Sequence, residues 1–163
     1  MSVLKTFPVW RTVGLGSHKN SAAYAKALEA AGNYYASEHA KRVFPDIRCS
    51  QQSVTVDLFD VSGADLGLTG KYGHDTALRA IESLGYARYS ADVGLAICVE
   101  CAGQPMDASR FLATDPFTRM HFHQALCVGL NEEGPWLDTV VLHPNHFYVP
   151  EDRWILSLPA SPA

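Results

Sequence analysis

The chain has 163 residues, 47% of them apolar and 18% charged, with a net charge of −4; it is long enough to bury roughly two-thirds of its unfolded surface and too apolar to be a disordered chain. No apolar run approaches the roughly 20 residues that cross a bilayer, and residues 1–7 lack a secretory h-region, so a cytoplasmic protein without membrane contact is expected. Residues 1–52 carry seven Lys or Arg against three Asp or Glu, but without the basic clustering of a nucleic-acid surface, so nucleic acid is not an expected partner.

Phe7 to Leu15 places Val9, Trp10, Val13 and Leu15 around the glycines Gly14 and Gly16, the pattern of a short first strand that turns at its glycines. A helix follows, with Asn20 or Ser21 accepting from the first-turn amides and Tyr24, Leu28, Ala31 and Tyr35 at helical spacing. Gly32 is costly inside a helix and suits a helix end, so two helices over about 21–31 and 34–43 are as good a reading as one, and Pro45 forbids continuation. Ser53 to Val61 alternates Val54, Val56 and Leu58 with Thr55 and Asp57, which predicts a half-buried strand. After a turn over Ser62 to Thr69, Asp75 or Thr76 caps a helix that carries Ala77, Leu78, Ile81 and Leu84 on one face and ends at Gly85.

Val93 to Val99, Phe122 to Leu130, Leu137 to Leu142 and Trp154 to Leu158 are apolar runs rich in β-formers, and they read as strands. Ala102 to Thr118 has no clear period, and stretches of that length are often functional or mobile. The whole reads as one α+β domain over residues 1–158 with a loose tail at 159–163. Its expected architecture is a mostly antiparallel sheet with N-terminal helices and one further helix packed on one face.

Histidines supply the first candidate chemistry. His121 and His123, two apart on a strand, point to one face. His143 from the neighbouring strand end completes a set of three, with Glu132 or Asp138 as a carboxylate and a zinc-like divalent transition metal as the implied cofactor. His146 follows three residues later. The His-x-His is partly similar to that of cupin barrels, but Gln124 to Leu130 lacks the carboxylate that a cupin places there. The plain alternative is a set of polar positions on an open sheet face, stacked on Phe122, Phe147 and Tyr148.

Cys98-Val-Glu-Cys101 is half of a zinc knuckle, which Cys49, Cys127 or His121 would have to complete; alternatively Cys98 fills the core and Cys101 its rim. At the end of an apolar strand the pair lacks the helix start that a redox CxxC uses. Even in number, the four cysteines are too sparse for a secreted disulfide framework, and reduced thiols are expected. The loop Gly14 to Ser21 offers Gly16, Ser17 and Lys19 to an anion at a helix start, but it matches neither a P-loop nor a dinucleotide fingerprint, and an ordinary capped turn is the favoured reading. Asp57, Asp60 and Asp65 cluster near one strand end, where acid–base work competes with common turn chemistry. No Ser-His-Asp order, GxSxG elbow or HExxH helix is present, so hydrolase and protease templates find no support.

The run Val-Asp-Leu-Phe-Asp-Val-Ser-Gly-Ala-Asp-Leu-Gly-Leu-Thr over residues 56–69, then Ala80 to Leu84 with Gly85-Tyr86, Ala91-Asp-Val-Gly94 and Gly134-Pro-Trp-Leu-Asp138, resembles a pattern in a family of uncharacterised bacterial and phage proteins. The resemblance implies a strand, a Leu-Gly-hydrophobe turn, a helix and a second strand opened by the acidic-Val-Gly step. It implies no activity.

With no complete catalytic template, the leading expectation is a non-catalytic binding or regulatory module working through protein contacts, with a protein partner or a homo-oligomer. Trp136, Phe147, Tyr148 and Trp154 would form its contact surface, unless they fill the core under the last strands. The alternative is a metal-dependent enzyme built on the histidine set.

Overall fold

In the computed structural model, the described residues are 5–30, 36–101, 108–119, 121–129 and 136–159. The first strand, β1 (Val9–Leu15), ends at Gly16, whose φ of 89° is left-handed and where a Cβ would collide with the Gln52 carbonyl. Only glycine tolerates that combination. Next, α1 (Ser21–Ala30) buries Tyr24 and Leu28, one turn apart, and Asn20 Oδ1 caps it by accepting from the Ala23 amide at 2.8 Å. Ser37 caps α2 (Glu38–Val43) in the same way, through Ala40 N at 3.0 Å, and a 3-10 turn over Phe44–Asp46 containing Pro45 follows. The two-helix reading of this region therefore holds for the described residues; 31–35 lie outside them.

A long strand, β2 (Val54–Ser62), leads into a turn pinned by Asp65, whose Oδ2 accepts from the Ser62 amide and hydroxyl, both at 3.0 Å. Those bonds hold the Asp65 carboxyl below the usual carboxylate range. Then α3 (His74–Ser83) buries Ala77, Leu78 and Ile81 on one face.

The segment read as a strand at Val93 to Val99 is a helix, α4 (Asp92–Glu100), so the second strand implied by the family resemblance is not formed here. Every residue from Asp92 to Cys98 is buried. A helix apolar on all sides leaves no period in its sequence, which is why it passes for a buried strand. Asp92 at its start accepts from the Ser50 amide at 2.8 Å, tying the 47–52 loop to the helix. Gly94 lies where a Cβ would stand 2.7 Å from Leu112 and 3.1 Å from Leu137, so the helix is pressed against the sheet.

The aperiodic stretch contains two three-residue strands, β3 (Arg110–Leu112) and β4 (Phe117–Arg119), and residues 102–107 lie outside the described set. They are followed by β5 (Phe122–Gly129), β6 (Trp136–Val141) and β7 (Arg153–Ser157). The seven strands among the described residues join one sheet in the order β1-β2-β7-β3-β5-β4, with β6 on the other side of β5. The pairings are antiparallel except β3 with β7, which is parallel, so the sheet is mixed although mostly antiparallel.

Both faces of the sheet are covered. Neighbouring strand residues point to opposite sides: Leu58 of β2 and Ile155 of β7 pack with α1, α2 and α4, whereas Phe59, Trp154 and Leu156 pack with α3. The expectation of helices on one face is thereby corrected to helices on both. At one end of the sheet Asp60 bridges two arginines, Arg110 Nη2 and Arg153 Nε, each at 2.8 Å, and the Arg110 guanidinium lies 5.0 Å from the Trp10 ring centre. No helix among the described residues is long and apolar enough to cross a membrane.

Candidate functional site

On the α3 side of the sheet, a cleft of roughly 550 Å³ opens between the start of α3, the β4–β5 hairpin and the 142–147 turn. That volume falls in the ~300–1,000 Å³ range of small-molecule sites. Its walls carry four histidines: His74, His123, His143 and His146, with Asp75, Thr118 and Phe147 among them. The pairing of Thr118 with His123 across β4 and β5 brings their side chains to 3.0 Å, Thr118 Oγ1 to His123 Nδ1. In the turn, His143 Nδ1 accepts the Asn145 amide at 3.2 Å, so its ring proton resides on Nε2. The His146 ring stands edge-on to Tyr148 at 4.8 Å, and its Nε2 is buried without a protein partner.

His74 behaves differently from the other three. It is 7% exposed, and its Nε2 lies 3.2 Å from the Thr114 carbonyl, which only accepts; Nε2 therefore carries the proton, and Nδ1 accepts from the Tyr148 hydroxyl at 3.2 Å. Both ring nitrogens are satisfied in the neutral form, and burial holds the His74 pKa below the ordinary histidine value. Behind it, Trp154 Nε1 donates to the Tyr72 hydroxyl at 2.9 Å, and the Tyr72, Phe111, Tyr148 and Trp154 rings pack together. The back wall of the cleft is thus an aromatic core with its polar atoms paired, and burial raises the Tyr148 hydroxyl well above its ordinary pKa.

The residues singled out from sequence distribute as follows. His123 and His143 share the cleft, with His146 beside them. His121 is not part of it: it occupies the hairpin turn ahead of β5 with φ of 70°, so the two-residue strand period does not carry it to the His123 face. Asp138 accepts from the Thr139 amide at 2.8 Å and does not line the cleft, and Glu132 lies outside the described residues. Among the described residues no three His, Cys, Asp or Glu side chains are placed to hold a metal ion.

Cys98 lies in the buried helix α4 and Cys101 at its C-terminal cap, not at a strand end, and both thiols are free, as are Cys49 and Cys127. Burial pushes the Cys98 and Cys127 thiols up to about 12 and raises Cys101 as well. The negative end of the helix dipole at Cys101 also disfavours a thiolate, the form that binds zinc.

Near Gly16 and Ser17, the Lys19 ammonium donates to the Gln51 carbonyl at 2.7 Å and Asn20 caps α1, which is the geometry of an ordinary capped turn. Of the three aspartates, Asp57 accepts from Thr12, Asp60 pairs with arginines and Asp65 holds its turn, each in a separate structural role. Tyr148 and Trp154, expected on a contact surface, are 1% and 0% exposed and belong to the core. Trp136 is half-buried, its indole lying over Gly129, and Phe147 at 53% exposure stands on the cleft rim.

Comparison with known proteins returns no matching family model, no matching curated protein and no matching solved structure. Function is therefore argued from the cleft and its chemistry. Two other clefts, of roughly 430 and 530 Å³, contain no histidine; the first is lined by Arg48, Thr114 and Asp115 among others, the second by residues of β2 and the 157–159 segment. His74 and its role were not visible in the sequence, where it is a lone histidine beside a glycine.

Proposed function

We propose that the protein is a non-catalytic binding module whose recognition site is the histidine-lined cleft. The observation that carries this reading is the convergence of imidazoles from three distant chain segments, His74, His123 and the His143/His146 pair, on one ligand-sized concavity. Three features support it: His74 is a buried wall residue with both ring nitrogens hydrogen-bonded, His146 Nε2 is buried without a protein partner, and Phe147 offers an exposed apolar edge at the rim. The test is a titration of the full chain with a panel of anionic, cationic and neutral fragments, followed through the histidine-ring carbon–proton resonances. A saturable displacement of the His123, His143 or His146 signals, lost in His143→Ala, is expected. Silence across the whole panel overturns the reading.

A second reading, contact with another protein or a second copy of this chain, is favoured by Phe122 and Val141. They lie on the opposite face of the β5–β6 pair, diagonal to one another, at 55% and 43% exposure. Sedimentation equilibrium of the full chain beside a Phe122→Ser, Val141→Thr variant decides it: an assembly lost in the variant supports the contact, and a monomer in both removes it.

A further inference from the structure

Resting on the cleft reading, we propose that its ligand is a small molecule bearing an oxyanion, a carboxylate or a phosphate, gripped between the imidazoles of the hairpin and turn and the open end of α3. On one side, Gly73 is the N-cap of α3 and offers no side chain to its first-turn amides, so the positive end of a ten-residue helix borders the cavity uncapped. A helix start in this state favours an anion. On the other, the His143 ring, with Nδ1 occupied by the Asn145 amide, presents Nε2 as an N–H donor. His123, held at 3.0 Å from Thr118, and His146, whose Nε2 has no protein hydrogen-bond partner, line the same cavity. These imidazoles reach the cavity independently of the helix, from β5 and from the turn after β6.

The titratable groups facing the cavity are His74 and Asp75 from α3, His123 from β5, and His143 and His146 from the turn. Burial lowers the His74 pKa, so this ring resists taking up charge. Asp75 is the single carboxylate among the described lining residues and opposes an anion.

Two probes, sodium phosphate and sodium acetate, are titrated into the full chain at one fixed pH and at constant ionic strength set with chloride, and the histidine-ring and residue 73–76 amide resonances are read. Expected are saturable shifts confined to those signals, with the stronger of the two probes naming the preferred oxyanion. Asp75→Asn should tighten binding roughly fivefold, the weight of one exposed charge at contact distance, and His143→Ala should weaken it by a similar factor. Shifts spread over the surface and indifferent to Asp75→Asn overturn the proposal. If neither anion displaces the cleft signals while a neutral or cationic fragment does, the oxyanion assignment falls and the cleft reading stands; if no fragment does, both fall.

Discussion

Replacing His74 by glutamine separates the loss of a contact from the cost of keeping a ring uncharged. The wild-type imidazole is 7% exposed, and burial holds its pKa below the ordinary value. An unfolded histidine takes a proton near pH 6.5, whereas the folded one resists until the pH is lower. Between those two values the unfolded chain binds more protons, so His74 makes stability fall as the pH falls. Glutamine carries no such penalty. Its amide can still donate to the Thr114 carbonyl, but the Tyr148 hydroxyl loses its acceptor and the ring packing on Trp154, at 5.6 Å between centres, is gone. Leaving that buried hydroxyl unpaired costs about 1–3 kcal/mol. Urea unfolding followed by tryptophan fluorescence should therefore show His74→Gln less stable by that amount at pH 7.5, with the gap narrowing as the pH falls through about 6.5 to 5.5. A gap that does not narrow over that range refutes the neutral, buried His74.

Further outcomes follow from other positions. Gly16→Ala puts a Cβ into the Gln52 carbonyl at a left-handed φ of 89°; equilibrium denaturation should register a loss of at least about 2 kcal/mol. Trp154→Phe strands the buried Tyr72 hydroxyl and leaves a void in the aromatic cluster, a loss of about 2–4 kcal/mol readable in the urea midpoint. The Cys98 and Cys127 thiols, buried and raised to about 12, should resist a thiol-specific disulfide reagent at pH 8 in the native protein and react at once in urea; prompt labelling of either in the folded state contradicts their burial. Phe147→Ala, on the rim at 53% exposure, should change stability by less than about 0.5 kcal/mol while weakening ligand binding in the cleft, which a melting curve with and without phosphate checks.

Those parts of the fold that alternate or repeat were legible in the sequence. The Val54, Val56, Leu58 alternation becomes β2, and the Ala77, Leu78, Ile81 stripe becomes the buried face of α3. The runs at Phe122, Leu137 and Trp154 become β5, β6 and β7. What failed had no period to read. Asp92–Glu100 is buried on all sides, so a helix and a strand look alike there, and only Asp92 before an apolar run hinted at a helix start. The strands β3 and β4, three residues each, are too short to show alternation. That helices cover both sheet faces follows from Phe59, Trp154 and Leu156 being as apolar as their neighbours, which a half-open sheet would not need.

For the site, pairing His123 with His143 was legible because adjacent antiparallel strands bring a strand start and a following strand end together. The exclusion of His121 was not, since it depends on where the hairpin turn stops. Nor was the assignment of Tyr148 and Trp154 to the interior, because amphipathic rings serve equally well inside a core and on a surface.

The position of β7 governs when the sheet can assemble. It lies between β2 and β3, pairing antiparallel with one and parallel with the other, and no other ladder among the described strands joins β1–β2 to the β3–β6 group. A nascent chain that has emerged only as far as β6 therefore holds two unlinked sheet fragments with bare edges toward each other, at Phe59 on one side and Phe111 on the other. Closure must await a partner some ninety positions downstream of β2, the kind of distant pairing that slows folding and lengthens exposure to self-association.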